Sequence, residues 1–305
     1  MLSRPDTEAS RRRFWAAFAT PGLLWLIAFF LIPFYAVMAV AMGRLDPIFL
    51  TSAPSWNPLS WDANAFYEVG REVIQGGPFQ TVFIRTFIYV VISVGLSLAI
   101  GYPVAYYISR HGGRRKTLFL ILLIAPFWIS YLMRMLAWIN LLQDDGYVNR
   151  ILMFLQVLDA PRSWLNGDPL AVILGLVYGY IPFLILPLYA AIDRIDQSLL
   201  EAARDLGASP ARTFMRVTLP LSRQGILAGC VIIMLPMFGD YYTPDLMSGS
   251  PRTSLIGNQI NFFINSAPGQ ENKGAALVLI LSAVVSLLMI YYLVSVARTA
   301  REAVR

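Results

Sequence analysis

Cysteine and histidine each occur once in the 305 residues, as Cys230 and His111. A single cysteine cannot form an intramolecular disulfide. Cys230 sits in an apolar stretch, where a small side chain packed between helices is the expected role. A single histidine excludes a histidine metal cluster or a Ser-His-Asp triad elsewhere in the chain. Charge is also scarce, at 14% of residues, against about 25% in soluble domains. No G-x-x-x-x-G-K-[ST] phosphate loop occurs, and Gly112-Gly113 followed by Arg114 reads as a short turn. The expectation is therefore no ATP hydrolysis by this chain alone, no catalytic residues, no metal and no cofactor. No strong internal repeat and no low-complexity tail are present.

Hydrophobic residues, by contrast, make up 57% of the chain and fall in long runs. Six stretches are long enough to cross roughly 30 Å of hydrocarbon as helices: about 14–42, 86–109, 117–142, 169–192, 222–242 and 274–297. The expected fold is an all-α, polytopic membrane protein with six transmembrane helices, in contact with membrane lipid. The first run is too long for a signal-peptide core and reads as a retained span. Internal prolines at 33, 182, 187 and 236 predict kinks. The net charge is +6, but the basic residues lie in short groups flanking spans. That pattern sets orientation in a bilayer and argues against nucleic acid as a partner. Segments 1–13, 109–116, 193–223 and 298–305 hold 16 of the 24 Lys and Arg. They are expected inside, which places both termini in the cytoplasm.

The most informative inner segment is 193–223. Ser198-Leu-Leu-Glu201 fits a capping box, so a helix is expected from about Leu199. Gly207 suits the left-handed residue that ends it. Ser209 with Pro210 reads as a second N-cap and first helical residue. The second helix is expected to run to about Val217, with Leu219-Pro220 ending it. Leu199, Leu200, Ala203, Leu206, Phe214 and Val217 would form one apolar side. Glu201 has no carboxylate or histidine partner nearby, so the segment reads as a docking element; locally Glu201 also fits a purely structural cap.

Glu201-Ala202-Ala203, three residues, Gly207, nine residues and Val217-Thr218-Leu219-Pro220 resembles the EAA loop, E-A-A-x3-G-x9-I-x-L-P, of bacterial ABC importer permeases. Only Val217 departs from the pattern. The resemblance covers roughly 80–297 and is strongest to spermidine/putrescine importer permeases of the B-subunit type. It is carried also by Ala125-Pro126-Phe127-Trp128, residues 199–211, Gly229-Cys230-Val231, Asp245-Leu246-Met247 and Leu255-Ile256-Gly257-Asn258. The resemblance implies a type I importer fold in a bacterial plasma (inner) membrane. It implies cytoplasmic ABC ATPase subunits, a second related permease and an extracytoplasmic solute-binding protein as partners. It also implies that Glu201, Ala202, Ala203 and Gly207, with Leu219 and Pro220, belong to the ATPase-coupling loop. The chain then divides into 1–80 with the first span, a permease domain at 81–297 and a tail at 298–305.

Two ionisable residues fall inside spans, Arg134 and Asp240. Counting about 1.5 Å per residue places both in the outer half of the membrane. Asp240, Tyr241 and Asp245, with Trp128 and Tyr131, are candidates for the solute path. A carboxylate beside aromatic faces suits an ammonium-bearing solute. Asp240 and Arg134 pairing with each other to fix helix packing is the alternative. A different small solute stays open within the same group. A membrane enzyme is disfavoured by the scarcity of catalytic side chains. A stand-alone secondary transporter is disfavoured by the lack of clear inverted repeats.

Overall fold

The computed structural model of the protein describes residues 6–46 and 51–302, with side chains outside 6–13, 45 and 298–302. Parts of the expected inner termini, 1–5 and 303–305, lie outside the described residues. Among the described residues the chain is helical almost throughout. In order, the helices are α1 (Asp6–Leu26), α2 (Ile32–Ala41), α3 (Asn64–Ile74), α4 (Pro78–His111), α5 (Lys116–Ile124), α6 (Tyr131–Leu142), α7 (Tyr147–Phe154) and α8 (Pro169–Asp193). They continue as α9 (Gln197–Asp205), α10 (Pro210–Thr213), α11 (Leu219–Leu221), α12 (Arg223–Gly239), α13 (Tyr242–Met247), α14 (Ile256–Asn265) and α15 (Glu271–Glu302). A two-stranded ribbon pairs β1 (Arg44–Leu45) with β2 (Ser52–Ala53).

Four helical stretches are long and apolar enough to cross a membrane by length and composition, and the count reaches six when two bent pairs are each taken as one span. The expected third span is one of these pairs. Its halves meet at 87°, because α5 gives way to a 3-10 turn at Ala125–Trp128 in which Pro126 stands second. Proline lacks the N–H that would continue the ladder, and its ring crowds the preceding turn. Ile129 and Ser130 are extended before α6 resumes. The expected fifth span is shorter than its apolar run. It ends at Gly239, and Asp240 is the extended residue that closes it. The first run carries a π-helical turn at Ile27–Leu31, immediately before Pro33. The second and sixth spans extend past their apolar limits, to Pro78–His111 and Glu271–Glu302.

The chain divides into two compact units, one of residues 1–71 and 260–280, the other of 72–259 and 281–305. In the first, the ribbon is tied to the start of α15, where the Ser52 backbone N–H donates to Glu271 Oε2 at 3.1 Å. Lys273 pairs with Glu68 at 2.8 Å in the same unit.

The second unit holds the core, where α4, α8 and α12 pack together. Val90, Leu176, Leu184, Leu188, Ile192, Ile233 and Met237 are buried in it. Lipid is as apolar as these side chains, so close packing and not expulsion from water holds such helices together. Gly229 on α12 shows how close the approach is: a Cβ there would stand 2.8 Å from Leu184 Cδ1. Large apolar side chains on the opposite faces, such as Ile88, Val91 and Ile100, are exposed, as expected of surfaces that meet lipid.

Candidate functional site

Two groups of residues carry chemistry, one at each end of α12. At its first residue the chain has just left the short helices α9 to α11. Helix α9 begins two residues earlier than the expected capping box. Asp196 is the N-cap, and its Oδ1 accepts from the Ser198 backbone N–H at 3.0 Å. That hydrogen bond holds the Asp196 carboxyl below the usual carboxylate range. A carboxylate suits a helix N-terminus better than a neutral hydroxyl does, because charge adds to hydrogen bonding there. Glu201 therefore does not close a box. Its Oε1 accepts from Gln197 Nε2 at 3.0 Å one turn earlier, and the residue is exposed.

Gly207 adopts φ +82°, the left-handed conformation expected for the residue ending α9. Ser209 Oγ accepts from the Arg212 backbone N–H at 3.3 Å, so Ser209 and Pro210 open the next helix as expected. The expected end at Leu219-Pro220 falls one residue short of the observed one, since after Leu221 the chain bends by 61° into α12. Residues Phe214–Thr218 form a π-turn, and the helix runs on through Pro220 to Leu221. The wider turn accommodates a proline that a regular helix would exclude. The expected single apolar side is also split. Leu200 is buried and Phe214 packs on the core, but Leu199 is exposed and Leu206 is 90% exposed.

The loop is braced against the span ends. Phe214 meets Tyr102 and Tyr106 edge-on, with centroids 5.6 and 5.7 Å away. The Tyr102 hydroxyl and Ser222 Oγ are hydrogen-bonded at 2.8 Å. Arg110 Nη2 donates to the carbonyls of Ile192 and Ile195 at 2.9 and 3.1 Å. Asp193 accepts from Ser109 at 3.0 Å and from Lys116 at 2.6 Å. Glu201, Ala202 and Gly207 thus lie exposed on a helix pair fixed to the span ends, with Ala203 half-buried. A cavity of about 600 Å³ lies beside the pair, bordered by Asp196 and Leu199 on one side and Gly225 and Tyr292 on others.

At the other end of α12, Asp240 is 6% exposed. Its Oδ1 accepts from the Thr243 backbone N–H at 3.0 Å and its Oδ2 from Thr243 Oγ1 at 2.5 Å. Oδ2 also accepts from the hydroxyls of Tyr180 at 3.1 Å and Tyr131 at 3.4 Å. The Tyr131 and Thr243 hydroxyls also lie within hydrogen-bond distance of each other, so their two protons are shared among the three oxygens. The carboxylate thus gathers donors from α6, α8 and α13, the arrangement a buried anion requires. The expected alternative, an Asp240–Arg134 ion pair, is absent from the ion pairs among the described residues. Arg134 lies instead over the rings of Phe127, Tyr131 and Tyr178.

The other path candidates separate. Tyr131 is in the cluster. Trp128 lies across the break, is 79% exposed and takes no part in it. Tyr241 stacks on Tyr242 at 4.2 Å. Asp245 is exposed and accepts from Asn258 Nδ2 at 2.6 Å. Partial burial pushes the Asp245 carboxyl upward, the Asn258 hydrogen bond opposes this, and the nearby Asp240 charge adds to it. Sequence reading missed Tyr180, Thr243 and Asn258. Tyr180 is one of three tyrosines in its span, and nothing local singles it out; Thr243 stands three residues after Asp240, within local reach of the carboxylate, and Asn258 is brought in by folding alone.

The family model described as "Binding-protein-dependent transport system inner membrane component" matches residues 92–301. The chain is 42% identical over 196 residues to the spermidine/putrescine transport system permease protein PotB of Escherichia coli, covering 64% of this chain and 70% of that one. It is 38% identical over 236 residues to the protein of the same description from Haemophilus influenzae, covering 77% and 78%. Among solved structures, a chain of a bacterial alginate ABC transporter is similar with a TM-score of 0.72 at 18% identity, covering 95% of this chain and 96% of that one. A chain of the MetNI methionine ABC transporter is similar with a TM-score of 0.51 at 19% identity, covering 75% and 99%.

Proposed function

The chain belongs to the binding-protein-dependent transport inner membrane components, the permeases of ABC importers, and on that premise we propose that it carries polyamines of the spermidine/putrescine type. It does so as one of two related permeases. A cytoplasmic ATPase pair docks below, and an extracytoplasmic binding protein delivers the solute. The likeness to the two transport system permeases supports the solute class. The buried carboxylate ringed by phenols supports it chemically, since ammonium groups favour both charge pairing and aromatic faces.

The observation that carries the coupling role is the exposure of Glu201, Ala202 and Gly207 on a helix pair braced to the span ends. ATP binding would close the ATPase pair and move α9 and α10 as one body. Phe214, Ser222 and Arg110 would pass that movement to α4, α8 and α12, switching which side of the path is open. The cavity beside Leu199 gives the pair space to shift. The Lys and Arg bias of the segments flanking the spans supports a cytoplasmic position for both termini. ATP chemistry belongs to the partner, and this chain acts as no enzyme.

One observation favours a second reading, a different small solute: a buried guanidinium stands next to Asp240 through Tyr131. ATPase activity of the reconstituted complex separates the two readings. Stimulation by a binding protein loaded with spermidine or putrescine is expected. Stimulation only by an unrelated solute would keep the permease and discard polyamines.

A further inference from the structure

Arg134 is the buried charge that coupling leaves unused. It lies on α6 and is 9% exposed. Its Nε and Nη1 have no hydrogen-bond partner. Rings surround it instead: Cζ lies 4.0 Å from the centroid of Phe127, 5.5 Å from that of Tyr131 and 5.8 Å from that of Tyr178. Tyr131 is shared between two environments. Its ring forms one wall of this box, and its hydroxyl donates to Asp240. Packing alone gives no reason for the charge. A methionine would fill similar space without burying unsatisfied guanidinium donors, which are costly at membrane depth. Aromatic faces beside a buried carboxylate form a receptor for an organic cation, and the cation held there is the protein's own.

We infer that the Phe127–Tyr131–Tyr178 box is an ammonium subsite and that Arg134 is its resident cation, exchanged for an ammonium group of the solute during transport. The inference rests on the polyamine reading. With Arg134 in place, its charge offsets that of Asp240, so a small metal ion meets no unbalanced carboxylate. A polyamine brings ammonium charge together with methylene spacers, and so replaces both the charge and the ring contacts that Arg134 supplies.

The test is equilibrium retention of radiolabelled spermidine by the complete importer in lipid nanodiscs, without nucleotide or binding protein. Wild type is expected to retain little. Arg134→Gln and the similarly sized Arg134→Met should each raise retention about tenfold, because the competing cation is gone. Arg134→Lys keeps the charge and should stay near wild type. Adding Asp240→Asn to Arg134→Gln should remove the gain. Equal retention by wild type and both neutral variants overturns the inference. A measurement on the unaltered protein covers variants that fail to assemble. In the ATP-bound importer with spermidine trapped inside, cryo-electron microscopy should show Arg134 away from the Phe127 ring. A guanidinium still seated there beside bound spermidine would overturn the inference equally. Failure of the polyamine reading looks different. No spermidine uptake by the assembled wild-type importer removes both ideas, whereas wild-type uptake with no gain in the Arg134 variants removes only the resident cation.

Discussion

At its first residue α12 leaves three short helices that hold Glu201, Ala202, Leu206 and Gly207 out in the open. At its last it meets a carboxylate enclosed by Tyr131, Tyr180 and Thr243. The open end is ordered by local devices: an N-cap at Asp196, a left-handed Gly207, a second cap at Ser209 and a π-turn before Pro220. Braces such as Tyr102–Ser222 then tie it to the spans. The enclosed end has one local partner, Thr243, and otherwise depends on distant segments, with Tyr131 reaching across 109 positions and Tyr180 across 60. A surface built from local signals keeps its shape while presenting itself to a partner. A site built from converging helices changes when those helices move, which is what an alternating path requires.

If the two ends are separate devices, lesions should separate as well. The largest effect is expected from Gly207→Val. A β-branched residue at φ +82° costs at least about 1–2 kcal/mol in the turn and displaces α10 relative to α9. Co-purification of the ATPase subunit should be lost, while the permease still reaches the membrane. Retention of the ATPase at wild-type levels would contradict the docking role.

Asp240→Asn should come next. It keeps the shape but removes the charge, and polyamine uptake should fall about tenfold or more with the ATPase still bound. Unchanged uptake by the assembled variant would remove Asp240 from the route. Tyr180→Phe deletes one of the donors to Asp240, worth about 1.5–3 kcal/mol when the acceptor is charged. Uptake should drop several-fold, less than for Asp240→Asn. An equal or larger loss would mean that the phenol does more than hold the carboxylate.

The smallest effect concerns pH at the open end. The Asp196 carboxyl is held below its ordinary range by the Ser198 N–H. Its folded-state pKa is depressed, so its stabilising contribution is present above the unfolded value and is lost as pH falls through the folded one. Asp196→Asn should therefore flatten a slight acid weakening of ATPase binding below the usual carboxylate range. An unchanged acid profile would count against the cap.

This contrast also explains what was legible in the sequence. Apolar run lengths gave four spans that form single long helical stretches, and the spacing from Glu201 to Pro220 marked the segment proposed for coupling. Both are local properties. The breaks were harder to read. Pro126 and Pro220 are equally visible as letters, yet Pro126 sits in a 3-10 turn at an 87° break, whereas Pro220 follows a π-turn and the chain bends by 61° two residues later. What decides is whether neighbouring backbone can regroup its hydrogen bonds, and that depends on packing. Asp240 was visible as a lone carboxylate in an apolar run. Thr243, three residues on, is a local partner, but Tyr180 and Tyr131 were not visible as partners, because nothing in the sequence records which helices converge. Arg134 was likewise readable as costly, but its seat among three rings was not.

The most direct test measures two quantities on one preparation: ATPase co-purification and spermidine uptake by the reconstituted importer, for wild type, Gly207→Val and Asp240→Asn. The account predicts that Gly207→Val loses the ATPase and uptake together, while Asp240→Asn keeps the ATPase and loses uptake. An Asp240→Asn importer that sheds its ATPase, or a Gly207→Val importer that keeps both, would contradict the division of labour between the two ends of α12.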